Sequence, residues 1–165
     1  SCAVTVLAVP PPGGAVTRTG ARPGDGLFVT GELGGGWKTD NHLRFRPRLA
    51  EATMLKAILR ERLHAMIDIS DGLGRDVEHL VAGQNLEVTV EAESLPIRRG
   101  FAVEHAVGDG EDYELAFAAE GDVPSQLGAC PVHRIGTFTE GSGRVVLHQD
   151  GGLVNIGADG WEHGS

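Results

Sequence analysis

Residues 66 to 72 read Met-Ile-Asp-Ile-Ser-Asp-Gly, two carboxylates and a hydroxyl among apolar β-formers. On a strand alternate side chains share a face, so Met66, Asp68 and Ser70 point one way while Ile67 and Ile69 point into apolar packing. Asp71 and Gly72 follow at a strand-to-helix turn. Asp68, Ser70 and Asp71 can therefore converge at the carboxyl end of a strand, beside a helix N-terminus. Ligands of α/β sheets gather there, and the free N–H groups of the helix favour phosphate. Hard oxygen ligands of this kind suit Mg²⁺. A plainer reading is that Ser70 or Asp71 caps the helix. Asp68 lies too far back to cap. A buried ionised carboxylate is costly without a partner, so Asp68 either meets a cation or sits on a surface-facing edge strand.

A second acidic stretch, Gly-Asp-Gly-Glu-Asp-Tyr-Glu-Leu, spans residues 108 to 115. Asp109, Glu111, Asp112 and Glu114 fall within six positions, and Gly108 and Gly110 allow the backbone to approach a ligand closely. Tyr113, Leu115 and Phe117 then anchor a strand in the core. Taken alone, the stretch reads most simply as an acidic turn before that strand.

The elements that must position these motifs follow from periodicity and punctuation. Strands are expected over 3–9, 27–30, 64–70, 86–93 and 112–120, each bounded by turn residues. Pro47 opens a helix running to 63, Gly83 stops a second helix over 71–83, and a third lies over 100–108. Residues 123–128 suit one helical turn, and 132–140 and 144–150, joined by Gly141-Ser142-Gly143, suit a hairpin. The alternation of strands and helices, with no internal repeat or linker, gives one α/β domain over 1–165. A first strand beginning almost at residue 1 is expected of one part of a larger architecture.

Composition narrows the function classes. The chain has 165 residues, 41% of them apolar, enough for a sizeable core. Its 25 glycines show no G-X-Y period, so collagen is excluded. A formal net charge of −9 argues against gripping nucleic acid or an anionic membrane, while phosphate ligands remain accessible through bridging Mg²⁺. Positive charge is concentrated between Lys38 and Arg62, in a run that suits the solvated face of a helix more often than a phosphate site. Two cysteines without metal spacing and no apolar run of membrane-spanning length point to the cytoplasm.

Together and in this order, Ile67-Asp68-Ile69-Ser70-Asp71-Gly72 and Gly108-Asp109-Gly110-Glu111-Asp112-Tyr113-Glu114-Leu115 resemble the thiamine-monophosphate kinase family. The resemblance extends to Arg-Pro-Gly-Asp-Gly-Leu-Phe-Val-Thr-Gly at 22–31, His-Leu-Arg-Phe-Arg-Pro-Arg-Leu at 42–49 and Gly-Trp-Glu-His at 160–163. It covers nearly the whole chain and the C-terminal half of the usual enzyme. The family belongs to a superfamily with aminoimidazole ribonucleotide synthetase, selenophosphate synthetase and a hydrogenase-maturation protein. The resemblance implies a layered α/β (α+β) domain, a mixed sheet with helices on one face, and an N-terminal half, absent here, that carries ATP binding and dimerisation. It implies ATP- and Mg²⁺-dependent phosphorylation of thiamine monophosphate to thiamine diphosphate in a homodimeric full-length protein.

By position, the resemblance implies that Asp68 and Asp71 are Mg²⁺ ligands at the catalytic centre and that Ser70 contacts ATP. Glu111 would contact the thiamine substrate and Trp161 would lie against it, where an aromatic face suits a flat cationic thiazolium. Two departures stand out. The loop after Thr30-Gly31 takes a shorter route through Gly34-Gly35-Gly36-Trp37, and Asp109 replaces a glycine. The alternatives are a superfamily relative using ATP on another substrate, and a non-catalytic module that binds a thiamine phosphate. This chain alone is not expected to turn over ATP.

Overall fold

The computed structural model describes residues 3–5, 7–10 and 13–157. Eight strands form one mixed sheet: β1 (Gly26–Thr30), β2 (Leu63–Asp68), β3 (Leu86–Glu91), β4 (Leu115–Ala119), β5 (Gln126–Leu127), β6 (Cys130–Glu140), β7 (Val145–Gln149) and β8 (Gly152–Asn155). The spatial order is β2-β4-β1-β6-β3-β7-β8, with β5 beside the start of β6. All neighbours are antiparallel except β3 and β7. Three helices accompany it: α1 (Leu49–Leu59), α2 (Leu73–Val81) and α3 (Val103–Gly108). This is the layered α/β domain with a mixed sheet that the sequence leads one to expect.

Strand alternation divides the core in two. Leu27 and Val29 of β1, Ala116 and Ala118 of β4, and Val88 and Val90 of β3 pack with Leu73, Val77, Leu80 and Val81 of α2 and Ala106 and Val107 of α3. Phe28 and Phe117, stacked at 5.3 Å, face the other way and meet Leu55 and Leu59 of α1. The expectation of helices on one face is thus corrected: α1 covers the face opposite α2 and α3. Its sequence conceals this, because Leu49, Met54 and Ile58 remain exposed around the narrow stripe of Leu55 and Leu59.

Three other expectations differ from the structure. Residues 132–140 and 144–150 do not pair with each other, because β3 lies between β6 and β7. The amides of Gly141 and Gly143 donate to the carbonyls of Asn85 and Leu86, so the glycine turn is held by the entry to β3. The tight hairpin is instead β7–β8, turned at Asp150-Gly151 with both φ angles positive, the geometry that suits the sheet twist. Residues 126–127 form β5 where a helical turn was expected. The described part of 3–9 lies in no ladder, and Val4, Leu7 and Val9 are exposed: a strand pattern without a partner strand forms no strand. The open edge of β2 receives a later segment, through Met66 N–H donating to the Thr17 carbonyl.

Candidate functional site

The two acidic motifs meet. β2 and β4 are antiparallel neighbours with Asp68 opposite Leu115. Beyond their ends the pairing continues: Ile69 N–H donates to the Glu114 carbonyl at 2.8 Å, Tyr113 N–H to the Ile69 carbonyl at 2.8 Å, and Glu111 N–H to the Ser70 carbonyl at 2.7 Å. Residues 68–71 and 111–114 therefore form one continuous surface, although some forty positions separate them.

Asp68 is the last residue of β2, at the sheet edge, and is exposed. Its carboxylate faces outward rather than into the core, as on an edge strand, which leaves it open to a cation as well. Ser70 and Asp71 are half-buried, and neither caps α2: the cap position is Gly72, with no side-chain cap bond. Asp76, one turn into the helix, reaches back to the turn that precedes it. These bonds fix the loop before α2 rather than cap the helix: Asp76 Oδ2 accepts the backbone N–H groups of Ser70 at 2.8 Å and Asp71 at 2.9 Å. Among the described residues, no hydrogen bond or ion pair engages the Asp68 or Asp71 carboxylate.

The electrostatics are those of uncompensated negative charge. Burial raises the Asp76 carboxyl above the usual carboxylate range, against the pull of its two amide donors, and Asp71 and Asp68 raise it further. Burial also raises the Tyr113 phenol, with Glu111, Asp68 and Asp71 adding to the shift. Asp68 and Asp71 thus act on both Asp76 and Tyr113, and Glu111 acts on Tyr113. Asp68 and Asp71 have oxygens free for a hard cation, which fits Mg²⁺. No three His, Cys, Asp or Glu side chains converge among the described residues. A cation here would take its remaining ligands from phosphate oxygens or water, the usual habit of Mg²⁺.

The acids of 109–114 divide by alternation into two that are buried and paired and two that line the surface. Glu114 is buried and accepts from Arg48 Nε at 2.7 Å, Arg48 Nη2 at 2.5 Å and Thr30 Oγ1 at 2.6 Å. The same bidentate pair holds the Arg48 guanidinium above its already high value. Asp112, 1% exposed, accepts the Gly34 amide at 2.7 Å and Arg98 Nη1 at 3.1 Å. Burial outweighs these partners and pushes its carboxyl up to about 6. The plain acidic-turn reading is therefore right for Asp112 and Glu114. Asp109 and Glu111 face outward, lining a small pocket of about 70 Å³ with Trp37, Lys38 and Gly110.

The pocket's other wall is the short glycine loop. Trp37 stacks on His42 with ring centroids 4.4 Å apart, and His42 Nδ1 lies 3.6 Å from Glu111 Oε2. Asn41 Nδ2 donates to the Asp112 carbonyl, and Phe45 stacks on Tyr113 at 4.1 Å. His42, Asp76 and Arg48 are site supports that sequence reading passes over. The signal for Asp76 is its position one turn inside the helix that follows Asp71. His42 and Arg48 lie in the 42–49 stretch that carries part of the family resemblance, but their partners Glu111 and Glu114, some 70 positions away, are not legible there. The run from Lys38 to Arg62 is mixed in use: Arg48 is internal, while Arg62 donates to the Glu120 and Asp122 carbonyls. Trp161 lies outside the described residues.

The mixed-sheet fold is shared by a solved structure of HypE, a hydrogenase maturation protein, from E. coli. It overlays with a TM-score of 0.67 at 18% identity, covering 86% of this chain and 52% of that one, a likeness of fold. Sequence then narrows the class. The thiamine-monophosphate kinase of Rhodopirellula baltica is 40% identical over 133 residues, 72% of this chain and 41% of that protein. A solved structure of AaThiL complexed with AMPPCP and TMP is 28% identical with a TM-score of 0.65, covering 90% of this chain and 54% of that one. The chain is a homologue of the thiamine-monophosphate kinases and spans about half the length of the curated relatives it matches. No family model matches it. Among the described residues, no helix is long and apolar enough to cross a membrane.

Proposed function

We propose that this chain forms one side of the cleft in which a cytoplasmic, homodimeric enzyme phosphorylates thiamine monophosphate with ATP and Mg²⁺, giving thiamine diphosphate. The part of the relatives' length that this chain does not span would complete the nucleotide site and the dimer. The observation that carries this reading is the stitching of the two acidic motifs through Glu111 N–H and the Ser70 carbonyl, which sets the free carboxylates of Asp68 and Asp71 beside the pocket lined by Glu111.

Asp68 and Asp71 are the residues that would hold Mg²⁺, whose charge neutralises phosphate oxygens and aligns donor with acceptor. Ser70 contacts the nucleotide phosphates through its hydroxyl. Glu111 attracts the cationic thiazolium, and Trp161 stacks on it. In the reaction a phosphate oxygen of thiamine monophosphate attacks the γ-phosphorus of ATP, and the bond to the β–γ bridging oxygen breaks to release ADP. Alignment and charge neutralisation supply most of the rate in such transfers, so no protein nucleophile is required.

The deciding experiment joins this chain to its N-terminal half and assays thiamine diphosphate formation with ATP, Mg²⁺ and thiamine monophosphate. Formation of product, lost when Asp71 is replaced by Asn, supports the reading. Tight binding of thiamine monophosphate without turnover would make the protein a binding module instead. Turnover of ATP only with a different acceptor would make it a superfamily relative.

A further inference from the structure

We propose that the Trp37–His42 stack is a second aromatic wall of the substrate pocket and that it binds the flat cationic ring of the substrate directly. The inference rests on the thiamine-phosphate reading above for the ring's identity, and on this loop's own geometry for the site.

Trp37 is 59% exposed although it sits in a loop whose other members are well fixed. The amides of Gly34 and Gly35 donate to Asp112 and Asp109 at 2.7 and 3.0 Å, and Asn41 and Thr39 are bonded on either side of the indole. The ring is therefore presented by a rigid frame. One of its faces is covered by His42, nearly parallel at 14°, and the rest borders the pocket with Glu111. Large exposed aromatics on fixed backbone are costly to leave in water, and ring faces are where flat partners bind.

The charge around the ring selects the partner. Lys38, also on the rim, lies 4.0 Å from Asp109 and is offset by it. Glu111 is left as the net charge. Its Oε2 and His42 Nδ1 are both buried and lack a hydrogen-bond partner, 3.6 Å apart. An indole face beside a carboxylate whose Oε2 makes no hydrogen bond attracts an aromatic cation, through the ring quadrupole and the carboxylate acting together. It has no such preference for the neutral adenine of a nucleotide. The stack therefore acts on the thiazolium end of the substrate rather than on ATP, and in this chain the shortened loop itself contributes to specificity. His42 is a positioning residue: it backs the indole face.

The test uses the full-length protein and calorimetric titration with thiamine monophosphate and, separately, with a non-hydrolysable ATP analogue. Trp37→Ala should raise the dissociation constant for thiamine monophosphate by about 3- to 30-fold, the range of a cation–π contact. It should leave that for the nucleotide within about 2-fold, and Trp37→Phe should recover most of the loss. An unchanged thiamine monophosphate affinity in Trp37→Ala, or equal weakening toward the nucleotide, overturns the inference. So does a parent protein that binds no thiamine monophosphate. A parent that binds it through Trp37 but forms no thiamine diphosphate leaves the pocket standing and removes the kinase reading. A parent that forms product with full activity in Trp37→Ala does the reverse.

Discussion

Glu111 N–H donates to the carbonyl of Ser70 across 2.7 Å, and this bond joins two acidic segments that neither local sequence nor charge would bring together. Like charges gather here because the backbone ladder extending β2 and β4 holds them, not because they attract. The close approach has a steric requirement. A Cβ on Gly110 would lie 2.6 Å from the Ser70 oxygen. Gly110→Ala should push the segments apart, lower stability by about 1–3 kcal/mol and weaken thiamine monophosphate binding. Thermal melts and titration of the same sample check both.

Replacing Asp71 by Asn should separate activity from stability. Its carboxylate has no partner among the described residues, so the melting temperature should stay within a few degrees of the parent. Thiamine diphosphate formation should fall by about 100-fold or more, the scale on which a charge-stabilising contact acts in a transition state. The assay is run over a range of Mg²⁺ concentrations. A loss of only a few-fold at every concentration would remove Asp71 from the proposed metal site.

Arg48 should behave in the opposite way, as a stability residue. Arg48→Met leaves Glu114 buried without its bidentate partner, and removal of one member of a buried pair costs about 3 kcal/mol or more. Denaturant unfolding measures the loss. The double variant Arg48→Met, Glu114→Gln should recover part of it, since the uncompensated buried charge is then gone.

Asp112 gives a pH dependence with a defined sign. Its carboxyl is pushed up to about 6 by burial, above its ordinary value of 3.8. Between these values the folded state holds more protons than the unfolded chain, so this group's contribution to stability falls as pH rises from about 4 to above 6. Asp112→Asn should therefore gain on the parent over that interval. Paired urea titrations at pH 4.5 and pH 7 test this, and a gap that narrows with rising pH in the parent's favour contradicts the assignment.

The two motifs show what kind of information is local. The apolar alternation of Ile67 and Ile69 against Met66 and Asp68 was enough to place a strand ending in acids before a helix, and α2 follows at Leu73–Val81. That pattern leaves a capping role open for Ser70 or Asp71, and the structure shows no side-chain cap on α2, while Asp76 ties back the Ser70 and Asp71 amides. Capping depends on where the chain turns, and a Gly72 cap with positive φ rotates both candidates away from the helix end. The pairing of 132–140 with 144–150 was inferred from a glycine turn alone. A turn fixes which segments are adjacent in sequence, but β3 competes for the same edge of β6 and occupies it.

The sequence by itself determined the strand and helix periods, the acidic motifs and, through their resemblance to thiamine-monophosphate kinases, a chemistry for them. Those properties live within seven or eight consecutive residues, the range over which backbone geometry sets which side chains share a face. Only the tertiary structure decided which acids are paired within the fold and which are left open. Asp112 and Glu114 are paired with Arg98 and Arg48 from distant elements, while among the described residues Asp68, Asp71 and Glu111 meet no basic side chain but a weakly placed histidine. Whether a carboxylate is spent on folding or left for a ligand depends on the cation that long-range packing brings to it, and no local pattern encodes that.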